Sequence, residues 1–156
     1  MDCKQNKTIV YKSLKIVSRP FQDQGLINIS RKTINKNRKE IDSIVQIIER
    51  PTKFIFGQVQ VHGFGFDMVI VENLLFFTDL LFPEFKGSLY TFDLERFSMA
   101  CLYVHDAKDE TLGNSLDVTK QGSDFRVTLR GFTRTNVSKI EKTLVFSEKK
   151  ILESLK

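Results

Sequence analysis

The chain has 156 residues, a formal net charge of +5, 41% hydrophobic and 28% charged residues, and two cysteines. That composition is ordinary for a globular domain and excludes a disordered or collagenous chain, while Cys3 and Cys101 are too few for a secreted disulfide scaffold. At this size a single domain over residues 1–156 with one sizeable core is expected.

The first dozen residues contain no apolar run of the length an export signal requires. The most apolar window, Phe64 to Phe82, is interrupted by Asp67, Glu72, Asn73 and Asp79. A charge near the middle of a spanning helix costs about 3 kcal/mol, so no membrane span is expected. The expected setting is cytoplasmic, with both thiols reduced.

Taken in chain order, Thr8 to Val17 is a β-rich run closed by Arg19 and Pro20, and Gly25 to Ser30 suggests a second short strand. From Thr33 to Arg50 the apolar residues Ile34, Ile41, Ile44, Val45 and Ile48 recur at spacings that predict one face of a helix. Asn35 or Asn37 would cap it and Pro51 would end it. Lys53 to Val71 reads as strands. Leu74 to Phe82 fits a short helix and a buried strand equally, and Leu89 to Val104 ends in the β-prone run Cys101-Leu102-Tyr103-Val104. His105 to Asn114 reads as a loop. Leu116–Thr119 and Phe125–Arg134 flank a turn and form a hairpin, with Phe125, Val127 and Leu129 on its inner face. A strand at Leu144–Phe146 and a helix capped by Ser147 would follow. About six to eight strands with two or three helices, one of them at 33–50 and one C-terminal, predict a single α+β domain with a mostly antiparallel sheet.

The stretch His62-Gly63-Phe64-Gly65-Phe66-Asp67-Met68-Val69 resembles the aromatic strand motif of RNA-recognition-motif domains, and Phe54-Ile55-Phe56-Gly57-Gln58-Val59 is similar to that family's other strand motif. The two motifs adjoin here, whereas in the family a helix and another strand separate them. Asp67 and Val69 also stand where a small apolar and an aromatic residue are usual. Phe64 and Phe66 are therefore read as core residues.

Charge is segregated along the chain. Residues 1–53 hold twelve Lys and Arg against five Asp and Glu, 54–117 hold three against ten, and 118–156 hold nine against four. Ten of the 14 Phe lie between Phe54 and Phe97, so the acidic third also forms the core. Its acids are expected on the solvent side of an apolar sheet, and uncovered phenylalanines there would supply a dimer surface.

Three groups of residues are candidate sites. Arg31, Lys32, Lys36, Arg38 and Lys39 concentrate cations in a short span, a contact for an anionic partner. Arg126, Arg130 and Arg134, with Phe132, form a basic strand face bearing an aromatic, the kind of surface on which a nucleic-acid backbone and base rest. His105, Asp106, Asp109 and Glu110 are the only cluster with metal-ligating chemistry. No phosphate loop or nucleophile motif occurs, no cofactor is expected, and Cys101 reads as an inert core thiol. The expected function is therefore a small intracellular non-enzymatic binding protein of the inhibitor, immunity or antitoxin type, acting on another protein through complementary charge. The alternatives are a nucleic-acid-binding protein using 31–39 and 126–134, which requires both on one face, and a metal-dependent enzyme at 105–110.

Overall fold

The computed structural model describes residues 7–20, 26–49, 55–56, 59–60 and 63–156, the two shortest pieces by backbone alone. Strands β1 (Lys7–Tyr11), β2 (Leu14–Ser18), β3 (Ile27–Ile34) and β4 (Glu40–Ile48) form an antiparallel meander in the order β1-β2-β3-β4. The fragments β5 (Ile55–Phe56) and β6 (Val59–Gln60) pair only with each other. A second meander contains β7 (Phe64–Val71), β8 (Leu74–Asp79), β9 (Ser88–Asp93) and β10 (Ser98–Val104), again with consecutive strands adjacent. The third sheet is β11 (Glu110–Gln121), β12 (Asp124–Thr133) and β13 (Lys139–Ser147), and the chain ends in α1 (Glu148–Ser154).

The α+β expectation is thus corrected to a mostly β fold, with eleven strands in three antiparallel sheets and 5% helix. The helix predicted at 33–50 is the end of β3, a turn and β4. A β-bulge in β4 sets Val45 and Gln46 against Ile29 alone, because Ile29 pairs with Gln46 while the next residue, Ser30, pairs with Ile44. The extra residue resets the alternation, so Ile44 and Ile47 share one face and Val45 and Ile48 the other. Three-residue spacings of this kind imitate a helix, while the β-branched side chains favour the strand. The C-terminal helix forms as expected: Ser147 Oγ accepts the Lys150 N–H at 3.1 Å, and Ile151 is fully buried. The Phe125–Arg134 hairpin also forms, with Phe125, Val127 and Leu129 buried.

The second meander is the middle of three layers, and its side chains alternate between two cores. Leu75, Phe77, Tyr90 and Phe92 pack with Leu14, Ile16, Ile27 and Ile29 of the first sheet. Leu74, Phe76 and Leu89 pack with Leu116, Phe125, Val127 and Leu129 of the third. Every residue of β8 and β9 is buried, which explains why Leu74–Phe82 shows no polar alternation: neither face of these strands meets water. Phe64 lies in the first core, edge-on to Phe77 at 4.9 Å, consistent with its reading as a core residue, and Phe66 is half-buried. Of the described phenylalanines of the acidic third, Phe64, Phe76, Phe77 and Phe92 are buried, Phe66, Phe82 and Phe85 are half-buried, and Phe97 is exposed.

Asp67, Asp79 and Asp93 depart from the expected solvent face. Asp79 is fully buried, and its Oδ1 accepts the N–H groups of Leu81 and Phe82, both at 3.1 Å. Asp93 Oδ1 accepts from Glu95 N at 2.8 Å, Arg96 N at 3.2 Å and Asn73 Nδ2 at 3.0 Å. Asp67 sits where the β7–β8 register shifts, and it joins all three layers. It pairs with Lys7 of β1, its Oδ1 accepts the Met68 N–H at 3.0 Å, and its Oδ2 accepts the Leu116 N–H of β11 at 2.8 Å. One glycine is dictated by this packing: Gly87 has φ +98°, and a Cβ there would lie 1.8 Å from the Leu112 carbonyl oxygen.

Candidate functional site

The first basic cluster is the tip of the β3–β4 hairpin. Arg31 and Lys32 lie in the second half of β3, which ends at Ile34, and Lys36, Arg38 and Lys39 lie in or beside the turn. Asn35 holds this turn rather than a helix: its Oδ1 accepts the N–H groups of Asn37 and Lys39, both at 2.9 Å, and Arg38 takes φ +59°. Lys32 pairs with Glu40 at 3.4 Å. The other four have no ion pair among the described residues, and all five side chains are exposed. Their positive field is therefore not neutralised locally.

Beside the tip, the sheet turns aliphatic side chains to water. The register sets Val10, Lys15, Ser30 and Ile44 in one row across the four strands, and Thr8, Val17, Asn28 and Ile47 in the next. These rows form the outer face, opposite the core. On this face Val10 is 67% exposed, Ile34 70%, Ile44 64% and Ile47 44%, while Ile41, out of phase with Ile44 and on the other face near the tip, is 44% exposed. Burying one such side chain stabilises by about 1.5–3 kcal/mol, so several left in water on one hairpin make an exposed apolar surface of unrealised burial. Lys15 lies 3.5 Å from Asp42 on the same face, which neutralises its centre. The cations are legible from residue type alone but the exposed isoleucines are not, because a bulged edge strand and a helix share their spacing.

The second basic cluster is elsewhere. Arg126, Arg130 and Phe132 lie on β12 in the third sheet, on the opposite side of the central layer from β3 and β4. The two clusters consequently share no face. Arg130 bridges Asp117 of β11 and Glu141 of β13, the latter at 3.2 Å, and the Asp117 bond chiefly raises its pKa. Arg134 Nη1 donates to the carbonyls of Phe85 at 2.7 Å and Glu110 at 3.0 Å, and to Thr111 Oγ1 at 3.1 Å, so it ties loops together. Phe132 is half-buried, opposite Thr111 and Lys139. Arg126 stays exposed, between Thr119 and Val145.

The 105–110 cluster does not converge. His105 is buried and bridges Tyr103 Oη to Nδ1 and Glu110 Oε1 to Nε2, both at 2.8 Å. Burial, then the Glu110 charge, raises the Tyr103 pKa. Asp106 turns to Lys86 at 2.7 Å, and that bond holds its carboxyl below the usual range. Asp109 Oδ1 instead accepts from Thr135 N at 2.9 Å and Oγ1 at 2.6 Å. Among the described residues no three His, Cys, Asp or Glu side chains come together as metal ligands. A cavity of about 320 Å³ lined by His105, Glu110, Leu112, Ile140, Glu141 and Lys142 lies beside the bridge. Cys101, expected in the core, is exposed on the outer strand β10, and partial burial of its thiol raises its pKa away from the reactive thiolate. Cys3 and His62 lie outside the described residues.

No helix is long and apolar enough to cross a membrane among the described residues. No protein-family model, curated protein or solved structure matches the chain.

Proposed function

We propose that the chain is an intracellular binding protein that recognises another protein through the β3–β4 hairpin, in the manner of inhibitor and immunity proteins. The observation that carries this reading is the juxtaposition of the unneutralised cations Arg31, Lys36, Arg38 and Lys39 with exposed Ile34, Ile41, Ile44 and Ile47 on the same hairpin. An apolar patch beside an excess of unpaired cations is the composition of a recognition surface: the aliphatic side chains supply affinity and the cations steer the encounter. The nucleic-acid alternative requires the two basic clusters on one face, and the central sheet stands between them. The metal-enzyme alternative requires Asp106 and Asp109 beside His105, and both side chains have other partners.

The test is a photo-crosslinking amino acid placed at position 44 and, as a control in the β12–β13 turn of the third sheet, at position 137, where Val137 is 72% exposed. In cells of the native host, position 44 should yield discrete adducts with a protein and position 137 should not. With that protein purified, association should slow about tenfold or more from low to high salt, and should slow likewise in R38E/K39E. Identical adducts from both positions, or an association rate indifferent to salt, would overturn the proposal.

A further inference from the structure

Each sheet has two edges, and the edge strands differ in what they meet from the rest of the fold. β1 lies against β7 through the Lys7–Asp67 pair, and β7 lies against β11 through the Asp67–Leu116 bond. β10 and β13 both pack on α1. β4 differs: among the described residues its contacts are with β3, and no strand or helix covers its other side to a comparable extent. Among the described residues its outward N–H and C=O groups therefore form an open row, the feature natural sheets usually blunt with Lys, Pro or a covering element. The bulge at Val45 and Gln46 bends β4, which leaves Glu40 to Ile44 as the straight run, a length at which a strand pairs.

We infer that this edge accepts a strand from the partner. An extended segment of another protein, aliphatic at alternate positions and acidic at the end beside the Asn35–Lys39 turn, would add to β4 over Glu40–Ile44 as a fifth strand of the first sheet. The inference rests on the protein-recognition reading and names how the partner is held. In such addition the main chain supplies hydrogen bonds and alternate side chains supply selectivity. Here Ile41 borders the inner side of the added strand and Ile44 the outer side.

Charge identifies the occupant. The acids of the edge already have cations within the sheet, Glu40 with Lys32 at 3.4 Å and Asp42 with Lys15 at 3.5 Å. Arg31, Lys36, Arg38 and Lys39 remain for a ligand. A second copy answers them poorly. Parallel pairing of two β4 strands sets one cationic tip against the other, while antiparallel pairing brings to each tip the far end of β4, where Glu49 is the nearest described acid. A different protein with clustered acids is the complementary occupant.

Three synthetic peptides test this against the intact chain. The first has the sequence Glu-Asp-Val-Thr-Val-Thr-Val-Asp-Glu, the second is identical but N-methylated at alternate residues, and the third carries Lys in place of every acid. Fluorescence anisotropy and backbone-amide hydrogen exchange are the measurements. The first peptide should bind and slow exchange in 40–44, while the second, which keeps the side chains but cannot complete the ladder, should bind about tenfold or more weakly. The third should also bind more weakly, and the difference from the first should shrink in high salt. Equal binding of the first two peptides would overturn strand addition while leaving side-chain recognition at Ile44 intact. Failure of all three to bind, or sedimentation as a dimer with the amides of 40–44 already protected, would overturn it as well. The recognition reading fails separately, by the crosslinking result at position 44.

Discussion

Asp67 is the side chain on which the three layers meet. Its side chain is 18% exposed, and its carboxylate serves Lys7, the Met68 N–H and the Leu116 N–H together. Removing it leaves two backbone donors in a half-buried setting without their acceptor, and the loss of hydrogen bonds to a charged group costs about 1.5–3 kcal/mol each before relaxation. Asp67→Ala should therefore lower the free energy of unfolding by about 2–3 kcal/mol in urea titration, whereas Glu40→Ala, at an exposed pair, should change it by no more than about 0.5 kcal/mol. A second carboxylate shows how pH acts at this scale. Glu95 accepts from Lys12 Nζ at 2.9 Å and Tyr11 Oη at 2.8 Å, and these bonds, Lys12 first, hold its pKa below the usual carboxylate range. A carboxyl depressed in the folded state contributes stability that is present above its unfolded pKa and lost as pH falls through the folded value. In an NMR titration Glu95 should protonate at lower pH than an ordinary glutamate, and Lys12→Met should move its midpoint upward; no movement would show that Lys12 does not set it.

At the scale of elements, β4 separates what faces the core from what faces water. Ile48 is buried and Ile44 exposed, although both are isoleucines in one strand. Ile48→Ala should destabilise by about 2–4 kcal/mol, and Ile44→Thr, which keeps β-branching, should stay within about 0.5 kcal/mol of the parent while weakening partner binding. Comparable destabilisation by both would place Ile44 in the core and remove the recognition surface. The same strand marks the limit of what could be read in the sequence. The Phe125 hairpin and the Ser147-capped helix were legible because each carries a local signal, a turn between alternating runs in one case and an N-cap before an apolar stripe in the other. Of the candidate site, the cations of 31–39 were legible by type. The exposure of Ile34, Ile44 and Ile47 was not, since which face of the hairpin meets the core depends on the central sheet, and the bulge moves Ile47 onto the face of Ile44 without a local sequence signal. The two-faced burial of β8 was hidden for the same reason: which side of a strand is covered depends on sheets formed by chain on either side of it.

The layered arrangement has a consequence for the whole molecule. Phe76 and Phe77 are neighbours in β8, yet Phe77 belongs to the core shared with the first sheet and Phe76 to the core shared with the third. Neither outer sheet can bury its apolar face without the central one, and the central sheet would expose half of its side chains if either outer sheet left. Burial on both faces therefore couples the two cores through a single element, and unfolding is expected to be one cooperative transition. Phe77→Leu should lower stability by about 1–2 kcal/mol. Its decisive readout is hydrogen exchange under conditions where exchange reports global opening: protection should fall by the same factor in β2, which packs on residue 77, and in β12, which packs on the opposite face. If β12 kept its protection while β2 lost it, the first sheet would open independently. The recognition hairpin would then stand on a separable layer, and strand addition to β4 would stabilise only that layer. With a cooperative fold, a partner bound at β4 should raise protection in β12 as well, so the same measurement made with and without the acid-ended peptide reads the coupling from the recognition edge to the far sheet.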